Sequence, residues 1–495
     1  MYPQNMKRIG IAFICIVMTG LGLVTDLRGD IALPKIFSDH MVLQRDAKVK
    51  IWGTAEPGQK LSVKFVDRES KTTANAQGQW SATIVTPAAG GPYELEVVAE
   101  EGEPKVIFSD VMVGEVWLCS GQCNMEWEVS KSLNAETEIE QSKDFPMLRL
   151  FKVGDGASPQ PLEDFVKVEP WSVCSPETVK DFSAIAYFFG KEISKELKDV
   201  PIGLIDASWE GTVCEAWTSR AAMDKVAALA PLLKHWDEND DPTSPNRPGN
   251  LYNSMIAPLK GFPIRGALWY QGEANHGRGK QYATLLPTLI NDWRANFGQG
   301  DFPFYFVQLA PFRYNQKPPE SLPEIWDAQL KTLKSVPNTQ MVVTTDVGSP
   351  EELNPKNKQL VGSRLALIAL GDVYKSSLPE DQDRAFSGPI YESMSTNKNR
   401  IRITFKHTDG GLRIRDDEKE LTWFTICGED QVFVKATATI AGDSVEVTSP
   451  EIDNPVAVRF GWDDSAQPNL VNGHGLPASP FRTDDFPLIS EGRDF

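Results

Sequence analysis

The feature that most narrows the fold of this chain is a change of hydrophobic period along it. Between residues 109 and 372, short apolar runs alternate with longer stretches of helical period. DVMVGEVWLCSGQ, PIGLIDAS, IRGALWYQGEAN, FPFYFVQLA and TQMVVTTD read as buried strands. SAIAYFFGKEISKELK, EAWTSRAAMDKVAAL, YATLLPTLINDWRANF and KNKQLVGSRLALIAL read as helices. Strand–helix alternation predicts an α/β domain with a parallel sheet covered on both faces. In such sheets the chemistry sits on loops beyond the carboxyl ends of the strands. Four such loops are expected here, at residues 120–125, 208–213, 271–276 and 346–355.

The flanks follow a period of two. Residues 31–108, with KVKIWGTAEPGQKLSVKF and YELEVVAE, and residues 373–495, with NRIRITFKH and NPVAVRFGW, predict N- and C-terminal β-modules. At the start, Lys7 and Arg8 precede an apolar run, Ile9 to Val24, that exits into Asp26, Arg28 and Asp30. The run is shorter than the roughly 20 residues a membrane span needs. A basic start, short apolar centre and polar exit predict a secretory signal peptide in residues 1–30. The mature chain is therefore expected to be exported, periplasmic or extracellular, without stable membrane insertion. A formal charge of −18 excludes a nucleic-acid partner, which needs a basic face. Five cysteines remain beyond the signal segment: Cys119, Cys123, Cys174, Cys214 and Cys427. Their number is odd and their spacing irregular, so they read as small buried residues and not as a disulfide framework or zinc site. No Walker A loop, GxGxxG turn or HExxH helix occurs, and neither a metal nor a cofactor is expected.

The first strand-end loop, Gly121-Gln122-Cys123-Asn124-Met125, has the strand–turn–helix form of a nucleophile elbow. It predicts Cys123 at a helix N-terminus, where the dipole lowers a thiol pKa; a buried structural thiol is the alternative. The third loop supplies Gln271, Glu273, Asn275 and His276. Asn275 is a candidate donor to an oxyanion. Glu273 reads as a hydrogen-bond acceptor, and His276 as a solvated loop histidine or a substitute base.

Together, LPKIFSDHMVLQRD, IWGTAEPGQ, GEVWLCSGQCNMEW, GLIDASWEGTVCEAWTSR, LYNSMIAPL, ALWYQGEAN, NPKNKQLVGSRLAL and GLPASPFRTDDFP resemble the sialate O-acetylesterase family of carbohydrate esterases, within the SGNH hydrolases. The resemblance implies an SGNH-hydrolase-like three-layer domain and cleavage of acetyl esters on sialic acid or another glycan. It also implies a Ser-His-Asp triad with an acyl-enzyme and no metal. The family's Gly-Gln-Ser-Asn-Met falls on Gly121–Met125, with Gln122 beside the nucleophile. Its oxyanion Gly and Asn fall on Gly211 and Asn275, with Glu273 nearby, and its acid and histidine fall on Glu352 and Asn354.

The chain departs from that pattern where the chemistry lies. Cys123 stands for Ser, Asn354 for His, Glu351 and Glu352 for Asp, and Glu210 for the first Gly of Trp-Gly-Gly-Thr. An amide cannot take a proton, and losing a general base removes a contribution of about 10²–10⁴-fold. A carboxylate about 4 Å from a developing oxyanion costs roughly 4 kcal/mol at an effective dielectric of about 20. Three outcomes stay open: an esterase with a rebuilt site, its activity weakened; a non-catalytic relative that binds acetylated glycan in the same cleft; and a scaffold.

Overall fold

The structure is a computed structural model that describes residues 30–239, 241–377 and 385–493. The expected signal peptide lies outside them except for Asp30. One 17-residue strand, Lys105–Gly121, organises the fold. Up to Asp110 its residues alternate in exposure, and from Val111 to Gly121 all are buried. The first part pairs antiparallel with Gly90–Ala99, and Val42–Gln44 pairs parallel with Met112–Gly114. The last part lies between Ile202–Ser208 and Gly266–Tyr270, parallel to both. The boundary expected near residue 108 therefore falls inside a strand. The N-terminal module and the central sheet share that strand.

The central sheet runs Thr339–Val342, Phe304–Val307, Gly266–Tyr270, Lys105–Gly121, Ile202–Ser208, Leu148–Val153, Val168–Val173. All neighbours are parallel except the last pair. The chain crosses from one side of Lys105–Gly121 to the other between its two flanking strands. The carboxyl end of that strand is thus the topological switch point, where α/β sheets open a crevice. Trp117 and Trp269 show the two covered faces. Trp269 is in register with Ser120, three residues after Trp117, so the two indoles point to opposite sides. Trp117 packs edge-on against Phe189 of helix Ala184–Leu197 and donates to Tyr374. Trp269 packs against Trp293 of helix Gly279–Phe297. On the Trp117 side, Ala184–Leu197 packs against helix Lys358–Asp372. A Cβ at Gly362 would lie 2.6 Å from the Phe188 Cβ, so only glycine allows that approach.

Glu115, fully buried, accepts from Arg45 and Arg265, from Gln44 Nε2 at 3.3 Å and from Tyr374 Oη at 3.2 Å. It thereby ties the N-terminal module to the sheet. The C-terminal module holds two four-stranded sheets, one around Arg400–Lys406 and one around Ala457–Phe460.

One local expectation changes, and one helix is new. The stretch read as one helix, residues 215–229, is broken into the 3₁₀ turn Cys214–Trp217, the short helix Arg220–Met223 and the turn Ala227–Leu229. Asp292 accepts from both the Ser219 amide and its hydroxyl at 2.7 Å, and the Ser219 hydroxyl caps Ala222, so the chain stops and restarts there. Helix Ser321–Ser335 carries no sequence prediction. Its N-terminal Leu322 amide is capped by Asp464 of the C-terminal module at 2.8 Å, a partner the local sequence does not contain.

Gly121 ends the long strand with φ +147°, and a Cβ there would lie 2.1 Å from the Tyr270 carbonyl oxygen. Gly121→Ala is expected to destabilise the protein by at least roughly 1–3 kcal/mol through backbone strain alone. Urea unfolding followed by circular dichroism measures this, and an unchanged midpoint contradicts the reading.

Candidate active site

Three of the four strand-end loops meet on the side chain of Asn124. Cys123 and Asn124 begin the one-turn helix Cys123–Glu126, just past the long strand. The Asn124 amide donates to Glu273 Oε1 at 2.6 Å and to the Leu353 carbonyl at 3.1 Å, and its oxygen accepts from Lys358 Nζ. Gln122 fixes the neighbouring thiol. Its carbonyl oxygen accepts from Gln271 Nε2 at 3.1 Å and the Ala274 amide at 3.2 Å, and its Nε2 donates to Cys123 Sγ at 3.5 Å. The first helical N–H groups have no intrahelical acceptor, so the Cys123 amide is available to an oxyanion in geometry.

The electrostatics reverse one expectation. The Cys123 thiol is pushed up to about 12, first by burial and then by the Glu273 carboxylate, against smaller opposing effects of Gln122 and Lys358. A single helical turn aligns too few peptide dipoles to offset the loss of hydration. At neutral pH Cys123 is a protonated thiol. Burial also raises the Glu273 carboxyl and lowers the Lys358 ammonium to about 7. Lys358 is 1% exposed and lies 5.3 Å above the Trp127 ring and 5.8 Å from that of Tyr270. No carboxylate lies within ion-pair distance of it among the described residues.

The second loop approaches through the Trp209 amide, which donates to the Gly121 carbonyl at 3.1 Å. Glu210 is exposed, so the penalty expected from a carboxylate aimed at the oxyanion falls away, and its charge is the smallest of the effects on the thiol. Its backbone N–H donates to the Glu126 carboxylate at 2.5 Å. Gly211 has φ +73°, with open space where a Cβ would stand. Asn275 departs from its expected part. It is fully enclosed, its oxygen accepts from the Cys214 amide at 2.9 Å and Gln271 Nε2 at 2.7 Å, and its nitrogen donates to Glu215 at 2.9 Å. It braces the segment after the second loop against the third, and one of its two amide N–H groups is committed to Glu215.

The expected acid and base do not form a relay. Glu352 is exposed, and none of the hydrogen bonds of the described residues joins it to Asn354. Glu351 pairs instead with Arg313 at 3.0 Å. Asp346, earlier in the same loop, is held by both Arg364 nitrogens at 2.7 and 2.6 Å. The Asn354 side-chain oxygen is buried without a hydrogen-bond partner. His276 donates from Nδ1 to the Glu273 carbonyl at 2.8 Å, its ring stacks on Tyr314 at 4.1 Å, and no hydrogen bond of the described residues joins it to Cys123. The five cysteines are free and buried. Among the described residues no group of three or more His, Cys, Asp or Glu is arranged to hold a metal.

Three site residues carry no role in the sequence reading. Lys358 is the most telling. It falls with Val361 and Leu365 on the apolar face of its helix, and a lysine at i of an i, i+3, i+7 apolar set is the signal that marks it. Glu215, 1% exposed, pairs with Arg278 at 2.8 Å and fixes Asn275. Tyr314, its hydroxyl buried without a partner, backs His276.

Residues 113–370 match the family model described as carbohydrate esterase, sialic acid-specific acetylesterase. Human sialate O-acetylesterase is 30% identical over 90% of this chain and 91% of its own, and the mouse protein is 29% identical over 86% and 88%. The crystal structure of a carbohydrate acetylesterase from Xanthomonas citri superposes with a TM-score of 0.83 at 35% identity, covering 92% of this chain and all of that one.

The Lys358 shift sets a pH dependence of stability. An unfolded lysine titrates near 10.4. Between about 7 and that value the unfolded chain holds a proton the folded chain has shed, so stability rises with pH. Cys123 and the other four buried thiols act oppositely as pH nears 9, where unfolded thiols ionise and the folded ones do not. The urea midpoint of wild type is therefore expected to gain on that of Lys358→Met between about pH 7 and 9, the thiols being common to both. An equal slope in both proteins contradicts the placement of Lys358.

Proposed function

Because the chain belongs to the carbohydrate esterase family of sialic acid-specific acetylesterases, we propose that its cleft receives an O-acetylated sialic acid or another O-acetylated glycan and cleaves the ester slowly, with Cys123 as nucleophile. The observation that carries this reading is the fixed thiol. Gln122 holds Sγ just past the strand end, which supports Cys123 as the nucleophile, while position 354 offers an amide and the Nδ1 of His276 is bonded to the Glu273 carbonyl. The serine–histidine mechanism is lost, and turnover is expected to fall about 10²–10⁴-fold below that of a site with an intact base. The difficult step is departure of the sugar oxygen. A thiolate leaves more readily than an alkoxide, so without a proton for that oxygen the tetrahedral adduct reverts.

One observation favours a second reading, a relative that binds acetylated glycan without turnover: the thiol is protonated at neutral pH. Acetate release from O-acetylated sialic acid and acetylated xylo-oligosaccharides separates the two, with wild type beside a folded Cys123→Ala variant. The esterase reading expects slow release that Cys123→Ala abolishes. Saturable binding without release selects the second reading. Restoring the family residues with Cys123→Ser and Asn354→His is expected to raise release at least about tenfold. A folded double variant no faster than wild type contradicts the correspondence of these positions. Lys7, Arg8 and the apolar run behind them support export as part of this proposal, and N-terminal sequencing of the mature protein tests it.

A further inference from the structure

Buried lysines are normally paired with a carboxylate, and an unpaired one needs a reason. Lys358 is enclosed at the start of its helix, beside the nucleophile loop. Its polar contact is the side-chain oxygen of Asn124, the residue next to Cys123, and two aromatic rings cover it. Glu273 is nearby, but its Oε1 is held by the Asn124 amide and its Oε2 has no partner. Resting on the esterase reading above, we infer that Lys358 is the proton carrier of this cleft, standing in for the absent histidine.

The step balances. Nζ makes no direct hydrogen bond to Sγ, so the neutral Lys358 amine takes the Cys123 proton through one water molecule as sulfur bonds to the acetyl carbonyl carbon. The resulting ammonium gives that proton to the sugar oxygen as the carbon–oxygen bond breaks. Water then attacks the thioester and its proton passes to Lys358. The carbon–sulfur bond breaks, the proton returns to sulfur, and acetic acid departs. Lysine suits this site better than Glu273. Transfer to the amine leaves a thiolate beside an ammonium, which attract, whereas transfer to the carboxylate leaves a thiolate with no counter-charge. Burial lowers Lys358 to about 7, against the opposing charges of Cys123 from the strand end and Glu273 from the third loop, which favour the ammonium, while the Tyr270 ring lies over it.

The test uses a reaction that needs no ester. Iodoacetamide alkylation of Cys123 in the full folded chain is followed by mass spectrometry between pH 5.5 and about 9. In wild type the rate is expected to rise through an inflection near 7 and level off. Lys358→Met and Lys358→Arg are expected to slow alkylation at pH 8 by on the order of 10²-fold and remove the inflection. Arginine keeps a charge but cannot titrate, so rescue by it would make Lys358 merely structural. Glu273→Gln is expected to keep the inflection. An inflection lost in Glu273→Gln and kept in Lys358→Met overturns the proposal, as does a wild-type rate that climbs through pH 7 without levelling. The wild-type profile decides even where a variant fails to fold. Acetate release measured alongside separates the two readings. A Lys358-dependent inflection without release sinks the esterase reading and leaves the pair standing. Cys123-dependent release unchanged in a folded Lys358→Met variant sinks the lysine.

Discussion

The side chain of Asn124 holds this site together. Its amide reaches Glu273 in the third loop and the Leu353 carbonyl in the fourth, and its oxygen receives Lys358 from the helix that follows. A buried amide satisfied on both ends is a strong local constraint, because a lost partner leaves a desolvated polar atom costing about 1–3 kcal/mol. The neighbouring residue, Cys123, inherits its position from that constraint and from Gln122. The long strand Lys105–Gly121 delivers both residues to the switch point of the sheet, and Gly121 makes the turn.

The same enclosure that fixes these groups sets their protonation. Burial disfavours every charged form. The thiol is pushed up, the Glu273 carboxyl is pushed up and the Lys358 ammonium is pushed down. A site like this favours neutral groups at rest and makes an ion pair only when a proton moves inside it. A histidine at position 354 would supply that proton transfer in the manner of the family. With asparagine there, the titratable groups that act on the thiol include a lysine and a glutamate that share Asn124.

Much of the architecture was legible in the residues themselves. Alternating apolar strands and amphipathic helices are local signals, and the parallel sheet, the flanking β-modules and the converging loop ends follow from them. Cys123 and Asn354 were equally visible as the residues standing at the nucleophile and histidine positions that the resemblance implies. What sequence concealed depended on distant partners. The cap on helix Ser321–Ser335 comes from Asp464, and the break at Ser219 comes from Asp292. The thiol pKa was read from the helix end alone, whereas burial and Glu273, 150 residues away in the chain, decide it. Nothing local shows that Glu215 accepts from the Asn275 nitrogen while Cys214 and Gln271 donate to its oxygen. The role of Lys358 lay in its helix period, which places a charged residue on the buried face.

The central claim is that this cleft forms an acyl bond to Cys123 without histidine. Rapid acid quenching of the protein mixed with O-acetylated sialic acid, followed by mass spectrometry of the peptide containing Cys123, tests it most directly. The account predicts one acetyl group on a fraction of that peptide while the sugar is being turned over, absent from Cys123→Ala. Saturating, reversible binding of the sugar with no acetyl group on Cys123 at any time would contradict it and make the protein a reader of the ester.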